Sequence, residues 1–168
     1  MISDKSQDLR EVIEALARSP DDAARLLRDL SEPALKARNS PDEFSALENI
    51  CHLRDIEVEG YTLRVNKILT ENKPILPDID GGRLAIDRAY NNQNLDEALE
   101  AFALARRQNI VVLMQVNEEE LKRSGFMAGV GELTLEKLLV MMRDHDEGHL
   151  EELRRIRRQT LKSSFSEA

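Results

Sequence analysis

"SPDEFSALENICHLRDIEVEGYTLRVNKIL", residues 40–69, carries helix-start chemistry at one end and helix-period patterning along its length. Ser40 offers a hydroxyl cap, Pro41 fits a first helical position where a missing N–H costs nothing, and Glu43 completes a capping-box signature. Phe44, Leu47, Ile50, Leu53, Ile56 and Val58 then extend apolar surface nearly all round the cylinder, more than one core-facing stripe requires. The stretch predicts one long helix from about residue 40 to about residue 71.

Outward from it the same signals recur. Upstream, a helix over residues 6–18 precedes "SPDDAARLLRDL" (19–30), where Ser19 and Pro20 predict the start of a separate helix. Downstream, Pro74, Pro77, Gly81 and Gly82 break regular structure, so residues 73–93 read as a long, partly structured connection. Asn94 with Glu97 opens a helix over 95–116, and Asn117 with Glu120 opens a short helical turn. Gly125, Gly129 and Gly131 mark a flexible loop. "TLEKLLVMMRDHDEGHLEELRRIRRQTL" (134–161) is a final long helix with Thr134 at its start, and the tail from about residue 161 is expected to fray. The fold expected is all-α, a four-helix bundle forming a single domain over residues 1–168. Short connections suit simple up-down neighbours, whereas the break between the second and third helices can carry the chain back across the bundle. An up-down-down-up order follows.

Composition narrows the function. The 168 residues hold 24 Lys and Arg against 32 Asp and Glu, a formal charge of −8, so the long-range field repels phosphate backbones and nucleic acid is not an expected partner. No apolar run approaches a membrane span, and the N-terminus lacks a basic start and apolar core, so a cytoplasmic protein is expected. The lone Cys51 has no internal partner for a disulfide, in keeping with a reducing compartment.

The chain has three histidines. His145 and His149 lie four positions apart, on one face of the last helix, close enough for two imidazoles to grip one ion. Leu138, Met141, Leu153 and Ile156 fall on or beside that face, so the pair interrupts an apolar stripe and needs polar partners or a metal. A pair at this spacing is common in helices and says little alone. His52 adds to it: it lies about 12 residues, roughly 18 Å, into the second helix. His145 and His149 lie about 11 to 15 residues into theirs, so either a parallel or an antiparallel pairing brings all three rings to one height.

Four stretches, "SPDEFSALENICHLRD" (40–55), "AFALARR" (101–107), "LKRSGFMAGVGELTLEKLL" (121–139) and "HDEGHLEEL" (145–153), resemble the DinB-like (YfiT-like) superfamily over nearly the whole chain. The resemblance implies a four-helix bundle of unusual topology, often a homodimer, with a divalent ion such as nickel or zinc held by His52, His145 and His149. It further implies a metalloenzyme, with a thiol S-transferase using a small-molecule substrate and a low-molecular-weight thiol as the leading reading. A metal-dependent hydrolase, or a non-catalytic, stress-associated helical dimer braced by an ion, are the alternatives. Many relatives carry a histidine in the loop where this chain has Met127, which puts functions of that loop histidine in doubt but leaves the three ligands intact.

Three neutral imidazoles hold a borderline divalent cation and leave positions for water or substrate, the layout of a catalytic site, where a bound water or thiol ionises more readily than when free. Asp55, one turn after His52, and Asp146, beside His145, are candidates to orient a histidine N–H. Glu48, one turn before His52, is a candidate proton acceptor. Each is otherwise an ordinary helix-surface carboxylate. Cys51 points about 100° away from His52 and reads as a small core residue. "HDEGH" departs from the HExxH zinc-protease pattern, with Asp146 in place of Glu and no downstream third ligand, and di-iron Glu-x-x-His pairs are absent.

Overall fold

The computed structural model describes residues 4–166, with side chains from Asp8 to Lys162. Four long helical segments form the bundle. They are α1 (Asp4–Leu27), a composite of α3 (Ala46–Asp55), a π-helical stretch (Ile56–Tyr61) and α4 (Thr62–Thr70), then α6 (Leu95–Leu113) and α8 (Leu135–Ser166). Short α2 (Glu32–Lys36), α5 (Gly81–Asp87) and α7 (Glu118–Leu121) lie between them, with a hairpin of β1 (Ser124–Met127) and β2 (Gly131–Thr134).

Side-chain ties fix the directions. Ser19 meets Asp146 and Arg157 reaches the Leu26 carbonyl, so α1 and α8 run parallel. Asn49 meets His149 while Glu43 meets Arg155, so the α3 composite runs antiparallel to α8. Ala98 and Phe102, early in α6, share a core cluster with Leu47 and Ile50 of α3 and with Ala23 and Leu27 of α1, and Leu113 joins Val65 and Ile68 at the other end. The order is up-down-down-up, as expected. The connection from Lys73 to Gln93 makes the return, and it holds α5 and a 3₁₀ turn, Tyr90–Asn92.

Several local expectations are corrected. Ser19–Pro20 does not start a helix: α1 runs straight through Pro20 to Leu27. Proline removes the N–H that would bond the carbonyl of Leu16, and that carbonyl is taken instead by Arg106 Nη1 at 2.9 Å. Ser19 Oγ, rather than capping, donates to Asp146 at 2.5 Å. Likewise Ser40–Glu43 is only a turn; the capping box is built by Ser45 and Glu48, five residues later, with both reciprocal bonds present. The glycine loop is a two-stranded antiparallel hairpin, Ser124 opposite Thr134, whose turn uses Gly129 and Gly131 at φ 76° and 96°, where a Cβ is disfavoured. Gly81 and Gly82 begin α5 under an Asp80 cap instead of breaking structure. The last helix continues to Ser166, past the point where fraying is expected, and residues 167–168 lie outside the described residues.

The core is split. One apolar cluster holds Val12, Leu16, Ile56, Leu113 and Met142; the other holds Ala23, Leu53, Phe102 and Leu150. Of the apolar residues ringing the second helix, Leu47, Ile50, Leu53 and Ile56 are consumed by these two cores and Val58 stays exposed. Between the clusters lies a polar layer. Arg106, 1% exposed, donates to Asp146, to Glu57, to Ser19 and to the Leu16 carbonyl, while Asn109 donates to the second oxygen of Glu57. One guanidinium thus joins α1, the π-helical stretch, α6 and α8.

Removing one partner of a buried ion network leaves uncompensated charge, here on two carboxylates. Arg106→Leu is expected to destabilise the fold by about 3–5 kcal/mol, read as a lowered midpoint of urea unfolding followed by circular dichroism.

Candidate metal centre

His52 comes from the middle of α3, His145 and His149 from successive turns of α8. The antiparallel crossing brings the three rings together, with centroids 5.2 Å (His52–His145), 4.7 Å (His52–His149) and 4.6 Å (His145–His149) apart. One ring nitrogen from each lies within 4.8 Å of the other two, and Nε2 of His52 is 3.1 Å from Nε2 of His145. Such convergence can hold a divalent ion between the lone pairs of neutral rings.

The rings are set for that role by their surroundings. Asn49 Nδ2 donates to the Ser45 carbonyl, which turns its Oδ1 toward Nδ1 of His149 at 2.6 Å. Nδ1 then carries the proton and the other nitrogen is left with a free lone pair, as a ligating imidazole requires. Glu152 Oε2, 3.6 Å away and too far for a hydrogen bond, adds a negative charge beside the same nitrogen. The His149 contact in turn holds the Glu152 carboxyl below its ordinary range. His52 is 8% exposed, and desolvation, followed by repulsion from His149 and His145, depresses its pKa to about 3, so it stays neutral. Gly81 packs against this ring: a Cβ there would lie 2.3 Å from Cε1. That contact, not a break in structure, is what requires glycine.

The carboxylate candidates are placed differently. Asp55 accepts from Arg54, Arg88 and the Tyr90 hydroxyl, and these bonds outweigh burial to lower its pKa. Glu48 caps α3 and pairs with Arg38. Neither accepts a histidine N–H. Asp146 comes nearest, with Oδ1 3.8 Å from Nδ1 of His145, too long for a hydrogen bond but close enough for its charge to act. Burial alone would raise its pKa, yet His145, Arg106 and Ser19 together bring it down to about 2. Glu57, both of whose oxygens accept hydrogen bonds, is the second acid around Arg106, so the layer beneath the cluster holds two carboxylates against one guanidinium. Cys51 is fully buried, and burial raises its thiol to about 11, in keeping with a core role.

Residues the sequence reading missed are Asn49, Glu152, Gly81, Arg106 and Tyr61. Tyr61 meets His145 edge-on, centroids 5.7 Å apart. Tyr61 and His52 are nine residues apart, two and a half turns of an α-helix, which would put them on opposite faces. The wider turn of the intervening π segment, with Thr62 N–H bonded to the Glu57 carbonyl, brings Tyr61 round to the cluster. The opening remains: the side chains of His145 and His149 keep 26% and 15% of their exposure.

Gly81→Ala is expected to displace His52 and weaken zinc binding, measured by titration, whereas Gly82→Ala, whose added Cβ makes only an ordinary 3.5 Å contact, leaves it unchanged. For the metal-free protein, His52 stays neutral when folded but takes a proton near pH 6.5 when unfolded. The unfolded state then binds more protons, so stability falls as pH drops from about 6.5 toward 3. Urea midpoints between pH 7 and 4.5 should decline less steeply in His52→Gln than in the wild type.

A search of curated proteins gives no match. Among solved structures, the chain is similar to YfiT from Bacillus subtilis, described as "a probable metal-dependent hydrolase with an unusual four-helix bundle topology", at a TM-score of 0.85 and 17% identity, covering 95% of this chain and 90% of that one. At that identity the likeness speaks for the fold. The family model of the DinB superfamily matches residues 15–153, which include all three histidines and both ends of the polar layer. The chain belongs to the DinB superfamily.

Proposed function

We propose that His52, His145 and His149 hold a divalent ion, nickel or zinc, and that the protein is a metal-dependent enzyme acting on a small molecule. The observation that carries this reading is the convergence of three imidazoles at a point still open to solvent, with no fourth protein ligand among the described residues. A structural ion is normally closed by its ligands; an open position suits substrate. The donor set also fits: His52 is neutral, His149 is locked in one tautomer by Asn49, and the two carboxylates around Arg106 supply negative charge behind the site.

A bound divalent ion supplies Lewis acidity that lets a thiol or water ionise near neutral pH. The protein's own groups do the rest. Asn49 orients His149 with the Glu152 charge beside it, Gly81 and Phe44 pack against His52, and Tyr61 borders His145. Glu48, Asp55 and Asp146 are each committed to arginine partners and are not free to act as general bases, which leaves Glu152, beside His149, as the one carboxylate at the cluster without an arginine ion-pair partner among the described residues. We favour thiol S-transfer, in which an ionised thiol attacks an electrophile directly and no water has to be activated by a general base. Metal-dependent hydrolysis is the second reading, favoured by the shared fold with YfiT.

The histidines have no substitutes, since the chain has three and its cysteine is buried away. Single changes His52→Ala, His145→Ala and His149→Ala should each abolish stoichiometric nickel or zinc binding while the helical signal persists, because the two apolar clusters do not depend on the ion. Metal-loaded wild type should transfer a low-molecular-weight thiol to a model electrophile. Tight metal binding by the triple alanine variant overturns the site; hydrolysis of esters or amides without thiol transfer selects the second reading.

A further inference from the structure

Among the described residues two arginines are buried, and they are used in opposite ways. Arg106 is surrounded by acceptors and carboxylates. Arg64, on α4 and 6% exposed, has no carboxylate within ion-pairing distance; its one hydrogen bond runs from Nε to the Pro77 carbonyl at 2.9 Å. Its guanidinium sits 5.3 Å from the ring centre of Tyr61, and Tyr61 is the residue that meets His145. Neither Nη group of Arg64 nor the Tyr61 hydroxyl has a hydrogen-bond partner, and none of these atoms is sealed from solvent. Gly60 lies one turn before Arg64, and a Cβ there would make only an ordinary 3.5 Å contact with Nη1.

A buried cation without a counter-ion carries a desolvation cost that one hydrogen bond and an aromatic face offset only in part. Desolvation accordingly holds Arg64 below the ordinary arginine range. The contact with the Tyr61 ring and the bond to Pro77 hold the guanidinium in place and leave its two Nη groups, a planar fork of N–H donors, without a partner in the fold. That fork matches a carboxylate, which takes two parallel hydrogen bonds from a guanidinium. The phenol, whose ring meets His145, adds a third unpartnered donor.

We propose that Arg64 and the Tyr61 hydroxyl form a carboxylate-binding subsite adjoining the three-histidine cluster, so that the enzyme's small-molecule substrate carries a carboxylate anchored there. The substrate assignment rests on the reading of the cluster as a metal centre; the subsite itself does not.

The test uses metal-free full-length protein, titrated with succinate at constant ionic strength and followed by NMR chemical shifts. Saturable binding to the wild type is expected, weakened about tenfold or more by Arg64→Gln, the loss expected for a charge-assisted hydrogen-bonded contact, and less by Tyr61→Phe and by Arg64→Lys, which keeps charge without the planar fork. The triple histidine-to-alanine variant should bind succinate as the wild type does. Absence of saturable binding, equal binding by Arg64→Gln, or loss of binding in the histidine variant overturns the proposal. Inorganic phosphate binding more tightly than succinate through Arg64 overturns the carboxylate assignment. If succinate binds through Arg64 while the histidines fail to bind metal, the subsite stands and the metal-centre reading falls.

Discussion

A single buried guanidinium organises this bundle. Arg106 meets Asp146 at 2.6 Å, Glu57 at 2.8 Å and the Leu16 carbonyl at 2.9 Å, so helices from every side of the bundle converge on one planar cation. Such a network is a poor source of net stability, because desolvation of the ions consumes most of what their attraction returns. Its effect is on arrangement. With two carboxylates and a proline-freed carbonyl to satisfy, few alternative helix registers leave no charge buried alone. The polar layer therefore fixes how α1, α6 and α8 slide against one another, and with them the height at which His145 and His149 meet His52.

The cluster inherits its chemistry from that layer. Asp146 follows His145 directly in sequence, so the residue that locks α8 to Arg106 also holds the histidine backbone in place and puts negative charge 3.8 Å behind its ring. A cation at the histidines would face neutral donors in front and a carboxylate-rich layer behind. Meanwhile the neutral state of His52 is imposed by burial and by its two neighbours rather than by a hydrogen bond, since its Nδ1 has no partner. Three imidazoles crowded together, with Nδ1 of both His52 and His145 lacking a partner, are costly as a purely structural device, and a ligated ion would offset that cost.

The π-helical stretch is the other local departure with a consequence. Without it, Tyr61 would turn away from the histidines. With it, the Tyr61 ring borders the cluster with Arg64 against it, so the composite helix supplies both one histidine of the cluster and the aromatic ring beside another. Insertions of this kind often occur at functional sites, where the gain in placement offsets weaker backbone bonding.

Much was legible in the residues themselves. Helical periodicity and the length of the break after residue 72 pointed to a four-helix bundle in up-down-down-up order, because amphipathic period and loop length are local properties of a chain, whereas proline and glycine punctuation marked a break where α5 starts and split α1 in two. The histidine triad was legible too, since four-residue spacing is a helix-surface geometry and His52 lies at a matching depth. What the residues could not disclose was anything that depended on a partner from elsewhere in the chain. Ser19–Pro20 has the form of a helix start, yet Arg106, 86 positions after Pro20, supplies the donor that lets α1 pass through. Gly81 has the form of a breaker, yet it exists to admit the ring of His52. Asp55 looked like an orienter of His52 and is held instead by Arg54, Arg88 and Tyr90, whereas Asn49, unremarkable in sequence, took the place beside His149. Local preference chose the elements; desolvation and the demand that every buried polar group find a partner chose their contacts, and that demand is settled only when the chain has folded.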